Sequence, residues 1–326
     1  MKKTICFALF FALLGGLYAN NRYMVAVGGL GDGSSWGQAF GDLQQALAVA
    51  SSGDEIWVAA GTYKPSSSLD RNASFHIPVG VSLWGGFNGT ETDKAARDWQ
   101  RYSCVLSGDL GLPNEPNDNS QTIIYFDQAT TGTVLDGFVI EQATANAFAR
   151  GADPGAAGAA IFNNGANGAS SPLIRNCTFR DNRAREGAAI YNYSANGRCE
   201  PQIINCQFIR NEANFNGGAI FNNGDDGICN PKIISCHFIA NQAVYGASLL
   251  NTARSGECIP LVESSVFKEN RTSMGGTVVY NKLGNGDRVY AILTDCTIEE
   301  NYPAVGTHVE NNGRTAALAA GVKPVN

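Results

Sequence analysis

The run NCQFIRNEANFNGGAIFNN, residues 205–223, holds its apolar residues singly and returns to asparagine or glycine every few positions. Phe208 stands three residues before Asn211, and Gly-Gly-Ala-Ile starts six residues after that asparagine. The same arrangement recurs along the chain, so the repeat rather than the single stretch carries the fold.

Five segments align with the first half: PLIRNCTFRDN from Pro172, PQIINCQFIRN from Pro201, PKIISCHFIAN from Pro231, PLVESSVFKEN from Pro260 and AILTDCTIEEN from Ala291, with starts 29, 30, 29 and 31 residues apart. A second block keeps step: GAAIFNN at Gly158, GAAIYNY at Gly187, GGAIFNN at Gly217, GASLLNT at Gly246, GGTVVYN at Gly275 and a degraded VGTHVEN at Val305. Helical repeats of this length need long 3.6-residue apolar stripes, which so many glycines and asparagines oppose. Within each block the apolar positions sit two apart, as on short strands. Ile203, Cys206 and Phe208 share one side only if the chain bends near Ile204-Asn205. That bend column holds Asn176, Asn205, Ser235, Ser264 and Asp295, small polar residues suited to turns. Each repeat thus reads as three short strands, two tight corners and one longer loop: one coil of an all-β, single-stranded parallel β-helix.

Stacking coils ~4.8 Å apart puts each residue over its equivalent in the next coil. The alignment predicts an internal stack of Phe179, Phe208, Phe238 and Phe267, continued by Ile298. It also predicts an amide ladder of Asn182, Asn211, Asn241, Asn270 and Asn301, since an amide both donates and accepts. Less regular strands precede the clean repeats at 54–63, 81–87, 104–108, 122–126 and 133–140. Ahead of them, DLQQALAVASSG predicts a helix with Leu43, Leu47 and Ala50 on one face and Asp42 with Gln45 as a capping box. This helix would cover the first coil, whose edge is otherwise unpaired. The solenoid then has roughly nine or ten coils.

SSWGQAFGDLQQALAVASSGDEIWVAAGTY resembles the start of pectin-lyase-like right-handed β-helix proteins, with a capping helix, Gly-Asp, an apolar strand and a Gly-Thr-Tyr corner. The paired F-x-x-N and G-G-A-I motifs are similar to the repeats of chlamydial polymorphic outer-membrane proteins and related bacterial surface β-helices. F-x-x-N matches at Phe179/Asn182, Phe208/Asn211, Phe238/Asn241 and Phe267/Asn270, and G-G-A-I is intact at Gly217 to Ile220. The resemblance implies a right-handed β-helix, a handedness that parallel crossovers also favour. Its chlamydial members also carry a C-terminal outer-membrane barrel, whereas only GRTAALAAGVKPVN follows the last repeat here. Nothing in that tail has the alternating pattern of barrel strands.

Residues 1–19 read as a secretory signal, with Lys2 and Lys3, an apolar run and an exit at Leu17-Tyr18-Ala19. The expected organisation is then a segment with the capping helix over 20–53, the β-helix over 54–312 with regular repeats from 158, and a cap and tail over 313–326. Residues 313–321 are expected to form a lid that closes the last coil and keeps the protein monomeric, ahead of a loose tail. With 29 acidic side chains against 23 lysines and arginines and no basic stripe, nucleic acid is a poor partner. No segment after the signal has the length and apolarity of a membrane-spanning helix.

Active-site chemistry of this fold class needs a base or paired carboxylates converging on a sugar, in places with calcium. Arg175, Arg180, Asp181, Arg210, Glu263, Lys268 and Glu269 change sign and identity from coil to coil, as a solvated face does. His76, His237 and His308 lie far apart, without zinc-ligand spacing. NNGDDG (222–227) and NDNS (117–120) offer oxygens to calcium but follow no calcium-loop pattern. No catalytic residue, cofactor or metal site stands out. The cysteines form two columns: Cys177, Cys206, Cys236 and Cys296 two positions before the phenylalanine, and Cys199, Cys229 and Cys258 before the proline. One reading pairs them diagonally as Cys177–Cys199, Cys206–Cys229 and Cys236–Cys258; the other leaves buried free thiols, since seven residues of extended chain exceed disulfide reach. Two functional classes follow. One is a secreted or cell-surface protein (extracellular or periplasmic), adhesive or structural, with a glycan or cell-surface protein as ligand; the other is a polysaccharide lyase or glycoside hydrolase.

Overall fold

The computed structural model describes residues 20–113, 115–147, 153–283, 288–302, 308–311, 314–315 and 323–325. Short strands stack into a parallel β-solenoid of about nine turns, with three nine-stranded sheets and one five-stranded sheet along its length. Each regular coil visits them in the same order. For the coil from Gln202 these are Gln202–Ile204 in sheet A, Gln207–Ile209 in sheet B, Glu212–Asn216 in sheet D and Ile220–Asn223 in sheet C. In sheets A and B the strand registers follow the sequence repeat, with Phe179 opposite Phe208. In sheet C Asn192 lies opposite Asn222, but Leu249 pairs with Val279, so the GGTVVYN block aligns from Gly276 rather than Gly275. The registers of sheet D shift at bulges.

Two one-residue corners turn the chain between A and B and between B and D. The first is held in the left-handed region by Asn176, Asn205, Ser235, Ser264 and Asp295, at φ between 49° and 54°. The second uses Asp181, Arg210, Ala240, Glu269 and Glu300, at φ between 50° and 57°. Alanine and glutamate rarely adopt this conformation, and the following asparagine supports it. Asn211 Nδ2 donates to Phe179 O at 2.9 Å and to Asn241 Oδ1 at 3.0 Å, and Asn241 and Asn270 repeat the pattern. The glycine that opens the G-G-A-I block also has a positive φ, 64° at Gly217. A Cβ there would lie 2.7 Å from Ile220 O.

The bend at Ile204-Asn205 lets Ile203, Cys206 and Phe208 all face a closed core. Phe179, Phe208, Phe238 and Phe267 stack with centroids 4.9, 4.7 and 4.8 Å apart and their planes nearly parallel. A second amide ladder, not singled out from the sequence, runs along sheet C through Asn163, Asn192, Asn222, Asn251, Asn281 and Asn311 with contacts of 2.8–2.9 Å. Outside sheet C, Tyr125, Phe162, Tyr191 and Phe221 make a further ring stack.

The N-terminal helix, α1, spans Leu43–Val49 and is the one α-helix among the described residues. Leu43, Ala46 and Leu47 pack into the core while Ala50 is only partly buried. Asp42 caps it, but its carboxylate accepts from the Gln44 N–H, two residues on, so the expected reciprocal box with Gln45 does not form. Strand Arg22–Val25 begins sheet A ahead of the strands anticipated from residue 54, and Phe40 bridges its outer edge. At the other end Val309–Asn311 pairs with the coil below, and Arg314–Thr315 turns back on it as the one antiparallel pairing described. The rest of the anticipated 313–321 lid lies outside the described residues. Lys323–Val325 forms a strand beside Thr297–Glu299 rather than a loose tail.

Candidate functional site

The ladder asparagines determine what the outside of sheet D presents. Each Asn of the 182–301 series points inward, so the residue before it sits at the exposed corner and the residue after it starts a D strand facing outward. Stacking the coils lines up Asp181 with Arg210, and Arg183 with Glu212, Gln242 and Arg271. The inward D positions are small, Ala184 and Ala213, which keeps this sheet close to the core. Together with Pro116 and Asn119, these side chains border an open groove of about 540 Å³, lined also by Gln142, Asp181, Arg183, Arg210 and Glu212. A second hollow of about 490 Å³ continues it past Gln242 and Arg271 to Tyr302. One extra residue bulges each of the strands Glu212–Asn216 and Arg271–Gly275, and exposed Phe215 and Met274 lie within those bulges. The Arg185 guanidinium lies 4.8 Å from the Phe215 ring centroid.

The charges of this face pair between coils. Arg210 makes two 2.8 Å hydrogen bonds to Asp181, which hold its guanidinium above the usual pKa, and Arg183 lies 3.6 Å from Glu212. Arg180 bonds Glu141, and Lys268 lies 3.3 Å from Glu300. Most of the sign changes seen in sequence are thus cross-coil ion pairs, worth ~0–1 kcal/mol each where exposed. Both carboxylates lining the groove, Asp181 and Glu212, are held by arginines. Burial pushes the carboxyls of Asp225 and Glu310 upward, but neither lines the groove.

A different cluster occupies the outer side of sheet A. Asp136, fully buried, accepts from Arg97 Nη2 at 2.6 Å, Arg175 Nε at 2.5 Å and Asn176 Nδ2 at 2.9 Å. Lys94, Arg97 and Arg175 all lie over the Trp84 ring. The triad is satisfied internally, and sequence reading missed it because Asp136 and Arg175 face each other only once the register is known.

The other residues singled out from the sequence disperse. His76 lies 4.9 Å from the Tyr125 ring, His237 is exposed beside Gln207 and Val266, and His308 Nδ1 lies 2.9 Å from Thr277 Oγ1, with burial lowering its pKa. In the two oxygen-rich loops, Asp118 and Asn223 bind the backbone N–H groups of Leu112 and Asp225. Among the described residues no group of three or more His, Cys, Asp or Glu is arranged to hold a metal ion. No helix among them is long and apolar enough to cross a membrane.

The diagonal cysteine pairing requires correction. All eight described cysteines are free and buried. Cys177, Cys206, Cys236 and Cys296 belong to the main core, whereas Cys199, Cys229 and Cys258 form a separate cluster under the long loops beside the sheet C ladder, where Asn163 Nδ2 donates to Cys199 Sγ. Cys177–Cys199, Cys206–Cys229 and Cys236–Cys258 therefore remain apart, and each thiol neighbours its own column. Burial pushes the thiols of Cys199, Cys206 and Cys229 well up, and that of Cys104 to about 11. Compared with known proteins, the chain matches no family model, no curated protein and no solved structure.

Proposed function

We propose that this chain is a secreted or cell-surface β-solenoid that binds an extended glycan along the groove over sheet D, in a non-enzymatic adhesive or structural role. The carrying observation is the groove's composition. Polar side chains from successive coils follow one another at strand spacing, and its carboxylates are already engaged by arginines. A linear polymer with polar groups at regular intervals suits such an open row of polar side chains, which the second hollow extends toward Tyr302. Two engaged carboxylates are a poor acid–base pair for cleaving a glycosidic bond. The signal-like first nineteen residues and the resemblance to surface β-helix repeats support an extracellular or cell-surface setting.

The test is a glycan array probed with the chain from residue 20 onward, alongside Arg183→Ala and Gln242→Ala. Binding that is saturable in the parent and weakened in both variants is expected. Absence of binding, or binding unchanged in both, would remove the reading. New reducing ends or unsaturated products after incubation with polysaccharides would establish the lyase or hydrolase alternative instead.

A further inference from the structure

We propose that the cleft at the corner between sheets A and B is a second binding site, shaped for one neutral sugar unit. It has a volume of about 340 Å³ and is separate from the groove over sheet D. It therefore does not depend on the function proposed for that groove.

Its wall is built by the strap that follows Arg97. Asp98 N donates to Gly86 O, and the Asp98 carboxylate holds the N–H groups of Gln100 and Arg101. This seats Trp99 against two positive-φ glycines. A Cβ at Gly86 would lie 2.6 Å from Trp99 Cα, and one at Gly137 3.0 Å from Trp99 Cβ. Trp99 lines the cleft, with the Arg97 guanidinium 5.0 Å from its ring centroid, and Thr178 and Gln207, paired residues of successive strands of sheet B, line it too. Gln207 and Asn205 are exposed.

The buried Asp136 carboxylate orients the corner amides. The Asp136 carboxylate can only accept, so Asn176 must present its Nδ2 to it, which turns Asn176 Oδ1 toward Asn205. Asn205 Nδ2 donates to that oxygen at 2.8 Å, which leaves Asn205 Oδ1 as an acceptor at the exposed end of the chain of bonds. The cleft thus joins an aromatic wall to oriented amides and a hydroxyl, and no Asp, Glu, Lys, Arg or His side chain lines it. An uncharged ring with an apolar face and several hydroxyls matches that set, since each hydroxyl both donates and accepts.

Calorimetric titration of the chain from residue 20 with neutral methyl hexosides should give saturable binding and a change in tryptophan emission. Gln207→Ala, at an exposed position, should melt as the parent does and bind about five-fold more weakly, in line with loss of one hydrogen bond. Trp99→Phe should keep binding but lose most of the emission change. Arg183→Ala, in the groove over sheet D, should bind as the parent does. Absence of saturable binding would overturn the inference, as would an unchanged curve in Gln207→Ala or binding of only the charged methyl glucuronoside. Loss of binding in Arg183→Ala would assign the signal to the groove over sheet D, so the cleft would fall while the function proposed for the groove stood.

Discussion

Replacing Asn211 by alanine removes an interior rung of the amide ladder between sheets B and D. Four hydrogen bonds go with the side chain. Two are its own Nδ2 donations, to Asn241 Oδ1 and Phe179 O. The other two are those its Oδ1 accepts from Asn182 Nδ2 and from the Asn182 backbone N–H. At ~0.5–1.5 kcal/mol net for each bond, the loss comes to about 2–6 kcal/mol, and the orphaned Phe179 carbonyl and Asn182 N–H push it toward the upper half. The site is fully buried, so water cannot replace the missing partners. Asn301 donates to Phe267 O and accepts from Asn270 Nδ2 and N, three bonds rather than four, so Asn301→Ala should cost less. Asn211→Asp keeps the shape but sets oxygen against oxygen at Asn241 and Phe179, and should cost at least as much as alanine. Urea unfolding followed by far-ultraviolet circular dichroism measures these losses. The control is Asn205→Gly, which removes the single ladder bond at the exposed corner and keeps a residue suited to the positive φ there. A loss below about 1 kcal/mol for Asn211→Ala, or one equal to that of Asn205→Gly, would refute the claim that the amide ladder holds the corner.

Phe208 lies between Phe179 and Phe238 in the ring stack, so Phe208→Ala should destabilise by about 3–5 kcal/mol and Phe208→Leu by clearly less. Equal thermal melts for the two would refute a stacking role. With all eight described cysteines buried as free thiols, iodoacetamide should leave the native chain from residue 20 unlabelled and alkylate all eight after guanidinium; a linked Cys177–Cys199 peptide would contradict this. Burial raises the carboxyl pKa of Asp225 in the folded state, so its protonation favours folding, and that contribution is full below the ordinary carboxylate range and lost as pH rises through the folded value. Asp225→Asn should therefore raise the melting temperature at pH 7 and leave it nearly unchanged at pH 3; the same gap at both would be the wrong sign of evidence.

The ring stack, the first amide ladder and the corner column were legible because a solenoid turns sequence period into spatial register. Aligning Asn182 with Asn211 is the same act as stacking them. The second ladder carried a comparable signal, an asparagine sixth in the first four G-G-A-I-type blocks and seventh in GGTVVYN and VGTHVEN as aligned from Gly275 and Val305. That one-residue offset, beside large aromatic residues, hid it until the register was known. Helix α1 was placed by its apolar face, while strand Arg22–Val25, short and followed by glycine-rich turns, had no partner within view and pairs with Glu55–Ala59 from more than thirty residues away. The bulges were recorded as a deviation in period. The 30-residue step from Pro201 to Pro231 carries its additional residue between Ala213 and Asn216, where the register shifts. Their effect on the groove needed the structure.

The groove was illegible for a physical reason. In a parallel solenoid, residues one period apart are nearest neighbours, so a column of like charges repels itself along its whole length. Apolar residues and amides can stack on their own kind; charged residues are stable there when the sign alternates or a neighbour neutralises them. Arg175 over Asp136, Arg180 over Glu141 and Arg183 beside Glu212 follow this rule. An alternating column is thus what the fold demands of any charged face, whatever that face does, and the absence of a uniform acidic column carries no information about catalysis. What discriminates is the state of each carboxylate. Asp136 is buried with three donors, and Asp181 is gripped at both oxygens by Arg210, so neither is placed to take a proton from a bound sugar. Glu212, 3.6 Å from Arg183, is the least tightly held carboxylate of the groove. If cleavage activity were found, Glu212→Gln would be the substitution to abolish it, and retention of activity in that variant would move the chemistry away from this groove.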